Sequence, residues 1–373
     1  MALTNFGLLT AEQKTIWSMD LWKNARNQSF INKFLGSGPN AMIQHITELK
    51  QSEKGARAVI TLLADLQGDG VAGDRTLKGN EEGMQTFDQV IRIDQIRHAN
   101  KHEGRMADQK SIVSFRDNSK NVLSYWLADR MDQMAFQTLA GIGYQYRPNG
   151  ATRVGSDLQY LEFAADVAAP STRRVCRWDA TNKILKNSAT ANNAAVDVVS
   201  TDYPTWQMFV QLKAYAKDRY IRGVTNGGGE ETYHAFMTPQ AMAKLKQDTD
   251  YMANLRYSQS SSVNDNLFTG STVKIDGIYL HEFRHVPNTS GLSSGKYGSG
   301  GTVNGCQVLF CGAQALGMAD IKAPEWNEEG DDYGNQQGIA VGKILGFLKP
   351  KFGNIYESNA VEDFGVISCY VAQ

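Results

Sequence analysis

The chain has 373 residues, 38 Lys+Arg against 39 Asp+Glu, a net charge of −1, and four cysteines. That length holds one large or two to three ordinary domains with a real core, and the balance of charge excludes a globally basic nucleic-acid binder. Four cysteines are too few for a disulfide scaffold, which fits a reducing cytoplasm.

The opening "MALTNFGLLTAEQK" has no basic n-region, so no signal peptide is expected. No stretch approaches the roughly 20 apolar residues of a membrane span. Thr10 and Gln13 stand at capping-box spacing. Ile16, Met19 and Trp22, with Trp17 beside them, then set a helix-period stripe, which Phe30, Ile31 and Phe34 continue to Gly36. Two Trp and two Phe in a terminal arm predict docking, within the subunit or on a neighbour. "ARAVITLLADLQ" and "TFDQVIRIDQIRHAN" both read as strands. Between them "GDGVAGDRTLKGNEEG" has almost no bulky residue, so an extended hairpin is expected. Its polar tip comprises Gly68, Asp69, Gly70, Gly73 and Asp74.

Residues 106 to 140 carry the strongest helical rhythm, from Ile112 and Phe115 through Trp126 and Met131 to Leu139, ended by "GIG". About 30 residues at 1.5 Å rise span roughly 45 Å, long enough for a spine on which sheets are laid. Residues 144 to 204 are turn-rich and read as an insertion. A helix is expected over 205 to 222, stopped by Gly223, and another after Thr238 as N-cap with Pro239 at its first position. "TVKIDGIYLHEFRHV" is strand-like with a DG turn or bulge. "GLSSGKYGSGGTVNG" reads as a flexible surface loop and "CQVLFCGAQALGMA" as a buried strand or strand-turn. Short strands separated by glycines close the chain, and no internal repeat is visible.

His281, Glu282 and His285 spell H-E-x-x-H, the string of zinc peptidases. On a strand, however, residues four apart lie about 13 Å apart, and two imidazoles bonding one zinc at about 2.0–2.1 Å do not span that. Strand residues with polar contacts are expected, with a zinc-dependent hydrolase as the alternative. "GLSSGK" has one residue too few for a phosphate loop, and "DLQGDG" lacks the acids of a calcium loop. Cys306 and Cys311, five apart on a strand, point to opposite faces. Glu328, Glu329, Asp331 and Asp332 read as a solvated loop or a rim for a basic partner. Arg173, Arg174 and Arg177 read as ordinary surface pairs. No nucleophile or acid–base couple stands out, so no catalytic, cofactor or metal residue is assigned. Arms and hairpins cost conformational entropy unless they bury surface elsewhere, and the expected burial is on other copies of the same chain.

The same residues resemble a tailed-phage major capsid protein of the HK-97-type fold, over nearly the whole chain. "WSMDLWKNARNQSFINKFLG" is similar to the family's N-terminal arm, and "VITLLADLQGDGVAGDRTLKGNEEGM" with "IRIDQIRHAN" to its extended loop. "MADQKSIVSFRDNSKNVLSYWLADRMDQMAFQTLAG" resembles its spine helix, and "FMTPQAMAKLKQD" with "NDNLFTGSTVKIDGIYLHEF" its axial domain. The resemblance implies an α+β fold: arm 1–44, extended loop 45–100, and peripheral domain 101–143 with 336–373. It leaves 144–204 as an insertion and 205–335 as the axial domain. It further implies a structural, non-enzymatic protein, made in a host bacterial cytoplasm, whose hexamers and pentamers tile an icosahedral head shell. The implied partners are a scaffolding protein, a portal, a cementing protein and packaged DNA held by loose non-specific contact, with no membrane and no cofactor. A tail or baseplate module is the remaining structural alternative.

Overall fold

A computed structural model describes residues 19–21, 23–25, 28–46, 57–63, 66, 68–84, 86–106, 115–225, 229–258, 273–321, 324–354 and 360–373. The first half of the chain supplies strands β1 (Leu35–Gly36), β2 (Ile43–Ile46), β3 (Arg57–Leu63), β4 (Thr86–Arg92) and β5 (Asp94–Lys101). Then come helix α1 (Phe115–Ala140), strands β6 (Val175–Asp179) and β7 (Ile184–Lys186), and helix α2 (Trp206–Asp218). Strands β8 (Val224–Thr225) and β9 (Glu231–Met237) lead to helices α3 (Pro239–Lys246) and α4 (Thr249–Ser258). Beyond them lie β10 (Val273–Ile275), β11 (Ile278–Glu282), β12 (Gly305–Cys311), β13 (Leu316–Asp320) and β14 (Glu325–Asp331). The last strands are β15 (Gln336–Leu348), β16 (Lys351–Asn354), β17 (Ala360–Asp363) and β18 (Val366–Ala372).

Two sheets organise these elements. One runs β1-β2-β13-β15-β14, with β5 also on β15; the other runs β10-β11-β9-β12-β18-β6-β7, with β8 on β9. β12 is buried at every position, as a central strand covered on both faces must be, which is why its sequence is apolar but for Gln307, whose amide is hydrogen-bonded. Sheet membership crosses the boundaries expected above. β13 and β14, expected in the 205–335 segment, belong to the sheet of β15, whereas β18 at the C-terminus pairs with β12. β6, within the segment read as an insertion, runs parallel to β18 in register Cys369↔Cys176 and buries Trp178.

Helix α1 ties the sheets together. Its first half has alternating burial and touches β5 and β14: Asn100 donates to Ser119 Oγ at 3.2 Å, His98 stacks on Trp126, and Arg116 pairs with Glu328 at 2.9 Å. From Met131 to Ala140 every residue is buried. There Phe136 packs against Phe236 of β9, and Gln307 of β12 donates to the Ala140 carbonyl at 3.0 Å. The helix ends in a Schellman turn, Gly141 N–H to Thr138 O and Ile142 N–H to Gln137 O. Gly141 carries the positive φ of 72°, and a Cβ there would also collide with the Ala168 carbonyl. Residues 107–114 of the expected spine lie outside the described residues.

The arm docks within the subunit. Leu21, Ala25 and Ile31 are buried, and Asp132 of α1 accepts from Ser29 Oγ (2.7 Å), Phe30 N–H (2.9 Å) and Ile31 N–H (3.2 Å). Trp17 and Trp22 lie outside the described residues. α2 ends at Asp218, short of the expected stop at Gly223, because Tyr220 takes the left-handed conformation and Ile221 N–H caps Ala216 O. α3 starts as expected, with Thr238 Oγ1 accepting from Ala241 N–H and Pro239 first in the helix. The expected flexible loop at 291–305 is instead stapled. Tyr297 and Val303 exchange two backbone hydrogen bonds at 3.0 Å, and the Tyr297 ring meets Tyr370 edge-on.

The expected hairpin is present: β3 and β4 pair antiparallel from Arg57↔Arg92 to Leu63↔Thr86. Its root is fastened by a second small core in which Ala58, Ile60, Leu62 and Ile91 meet Ile46, Ala319 and Leu348. The approach is close because β13 and β15 carry glycines beneath it. A Cβ at Gly317 would strike Ile60 Cδ1, and one at Gly346 would strike the Arg92 carbonyl. Backbone cannot yield as a flexible side chain does, so Gly346→Ala is expected to cost about 1–3 kcal/mol. Thermal unfolding checks this; an unchanged Tm would show that the hairpin root does not bear on β15.

Candidate assembly surfaces

The hairpin leaves its other face bare. Along β3 and β4 the inward residues alternate with Val59 and Val90, which stand opposite each other in register and are both exposed. In the loop beyond, Gly68, Asp69, Gly70, Gly73 and Asp74 are all solvent-facing, and Gly70 and Gly73 have φ of 72° and 68°. The loop is held by its own polar contacts: Gly68 N–H on Glu82 at 2.5 Å, Gly79 N–H on Glu81 at 2.6 Å, and Asn80 on Thr76 and Leu77 carbonyls. Leu66, Leu77 and Met84 point into solvent within it. Beside the polar tip, these three side chains and the Val59–Val90 pair make up an exposed apolar surface on the hairpin.

The H-E-x-x-H residues part company. His281 lies on extended β11, while His285 lies beyond the strand in a turn. His281 hydrogen-bonds His234 (3.0 Å) beneath Phe34 and beside Phe236; His285 hydrogen-bonds Asp129 of α1 at 2.6 Å; Glu282 sits 3.5 Å from Lys246. Among the described residues no group of three His, Cys, Asp or Glu side chains could hold a metal ion. All four cysteines are buried and free. Burial pushes the Cys306 thiol up to about 11 and Cys176 up to about 12, far from a reactive thiolate.

Two charged clusters differ from expectation. Arg174 and Arg177 are not surface residues: Arg174 is fully buried on Glu362 (3.1 Å), and Arg177 grips Asp202 at 2.8 Å. Nor are the acids at 328–332 one solvated loop. Glu328 is on β14 with its side chain buried, bound by Arg116, the Trp326 indole N–H and Gln337. Glu329, Asp331 and Asp332 remain exposed. Alternation along a strand explains the split.

A third cluster escaped sequence reasoning. A groove of about 870 Å³ beside α1 is lined by Arg97, Arg130, Arg147, Arg153 and Arg284, together with Trp126 and His98. These arginines come from four separated segments, so no local motif announces them. Arg284 and His285 share Asp129, whose carboxyl is held below its usual range although burial opposes this. Burial first, then Arg130 and Arg147, push Arg153 down to about 10. Arg97 and Arg147 have no acidic partner among the described residues.

These features define a subunit that leaves an apolar hairpin face and an arginine-lined groove open at its surface. A family model described as phage capsid protein matches residues 5–373. The chain is 58% identical to the major capsid protein of Pseudomonas phage KPP25, over 99% of this chain and 97% of that one. Among solved structures, the capsid of Ralstonia phage GP4 is similar with a TM-score of 0.75 at 23% identity, covering 92% of this chain and 91% of that one. The Cyanophage Pam1 capsid is similar with a TM-score of 0.69 at 17% identity, covering 99% of each chain. The chain therefore belongs to the phage capsid protein family, and its role is structural, as a component of the capsid shell. The fold is the α+β capsid fold of the HK-97 type expected from the sequence.

The half-buried histidine pair makes the arm sensitive to acid. Burial pushes His234 down to about 4, and burial with the charges of His234 and Lys33 does the same to His281, both from an ordinary 6.5. The unfolded chain binds protons that the folded protein refuses, so this stability is complete above pH 6.5 and is lost as pH falls towards 4. The Tm is expected to fall across that window, less steeply in the His234→Gln/His281→Gln variant. Scanning fluorimetry against pH checks this; identical slopes would remove the pair from the acid response.

Proposed function

We propose that copies of this chain form hexamers and pentamers that tile an icosahedral head shell around packaged phage DNA. The observation that carries the reading is the hairpin, whose bare face and loop expose Val59, Val90, Leu66, Leu77 and Met84 while its root is fastened to the subunit. A rigid projection with uncovered apolar residues gains stability by lying across a neighbour. In this reading the sheet of β15 with the first half of α1 forms the peripheral part, and the sheet of β12 forms the axial part. A scaffolding protein, a portal and a cementing protein complete the assembly, and DNA is held loosely by a near-neutral shell. Synthesis takes place in the host bacterial cytoplasm, and the chain catalyses no reaction.

Deleting 68–74 separates folding from assembly. Those residues are exposed except for the half-buried Val71, and loop closure changes by only about 0.6 kcal/mol per doubling of length. A lost contact of about 1–2 kcal/mol per interface is repeated throughout a shell. The variant is expected to stay soluble, with a Tm near that of the unassembled parent, and to give no stable particles by electron microscopy with scaffold supplied. Normal particles would remove the tip from the interface, and a subunit that fails to fold would place it in the core.

A further inference from the structure

The turn between β14 and β15 is built to protrude. Asp332, Tyr333 and Gly334 all have positive φ, at 51°, 54° and 83°. Tyr333 is 109% exposed relative to an extended reference. The turn is braced: Asp331 accepts from Asp332 N–H and pairs with Lys101 at 2.8 Å, and Asn335 bonds Asp332 and Arg105 N–H. Two consecutive non-glycine residues in left-handed conformation are held there, with the aromatic ring offered entirely to solvent. Such strain persists where surrounding contacts enforce it. Glu329 and Asp332 give the knob its acidic rim.

The arginine groove has the opposite character. Five guanidiniums line it against the one carboxylate of Asp157, Arg284 is paired with Asp129, Arg97 and Arg147 lack acidic partners among the described residues, and the apolar Val154 on its wall is 93% exposed. Its volume, about 870 Å³, is that of a pocket.

We propose that the 329–334 knob of one copy docks in the arginine groove of a second copy, Glu329 and Asp332 meeting the guanidiniums of Arg97 and Arg147 and Tyr333 the Val154 wall. The inference rests on the shell reading and gives it one specific contact. Because knob and groove are different patches of one chain, the contact is head-to-tail, the kind that closes into rings. Opposite charges meeting across it also fix register.

The test is a charge swap in the full chain, co-expressed with scaffold. Arg97→Glu/Arg147→Glu and Glu329→Lys/Asp332→Lys are each expected to cut particle yield by on the order of tenfold, and the combined variant to recover most of it. A second variant, Val154→Cys/Tyr333→Cys, is expected to give disulfide-linked multimers under mild oxidant, since the native cysteines are buried. Neither single cysteine variant should extend beyond dimers. Absence of recovery together with absence of linked multimers overturns the contact while leaving shell formation intact. Failure of the unaltered protein to form particles overturns both readings. Normal particles from Arg97→Glu/Arg147→Glu with weakened binding of a 20-base-pair duplex would instead assign the groove to nucleic acid and overturn the proposal.

Discussion

Everything in this subunit depends on helix α1 being shared. Its first half is an amphipathic surface helix lying on β5 and β14; its second half is buried on all sides against β9 and β12. A helix buried all round has no face left for water, so the two sheets cannot separate without exposing the stretch from Met131 to Ala140. The arm is locked to the same helix through Asp132. Burial pushes that carboxyl up, but the three donors of Ser29, Phe30 and Ile31 oppose the shift and stabilise its charged form.

The hairpin and knob extend from this frame as rigid projections. The hairpin is anchored by a small core of its own over Gly317 and Gly346, so its bare valines and loop are held outward by packing. The knob is anchored by Lys101 and Asn335. Neither projection has an internal reason to be apolar or aromatic at its exposed end. A protein whose work is contact with its own copies gives that reason, since a preorganised projection loses little freedom on binding.

Charge is distributed on the same logic. Several ionic pairs that join distant chain segments are buried, as Arg174 with Glu362, Arg177 with Asp202 and Lys349 with Asp363, and the half-buried Arg116 reaches the buried Glu328. Breaking one such pair leaves an uncompensated buried charge, at a typical cost of about 3–5 kcal/mol. Arg97 and Arg147, which have no acidic partner among the described residues, lie outside this scheme, on the wall of the open groove.

By itself the sequence determined the elements whose signals are local. The helical period of α1, the Thr238–Pro239 start of α3, the hairpin strands and the extended backbone at His281 are each written in neighbouring residues, because hydrogen-bonded turns and pleats repeat over a few positions. It also carried a resemblance spread along the whole chain, enough to name the fold class. What it could not carry was any property set by residues distant in sequence meeting in space. The Arg173–Arg177 stretch looks like a surface patch until Glu362, Asp363 and Asp202 close over it. The 144–204 segment looks like an insertion until β6 pairs with β18, nearly 200 residues later. α2 was expected to run to Gly223, yet Tyr220 takes the left-handed turn because Ile221 is drawn into the core. The arginine groove draws on β5, α1, the 147–157 turn and residue 284, and only the tertiary fold brings those four together, because electrostatic neighbours are chosen by distance in space and not by position along the chain.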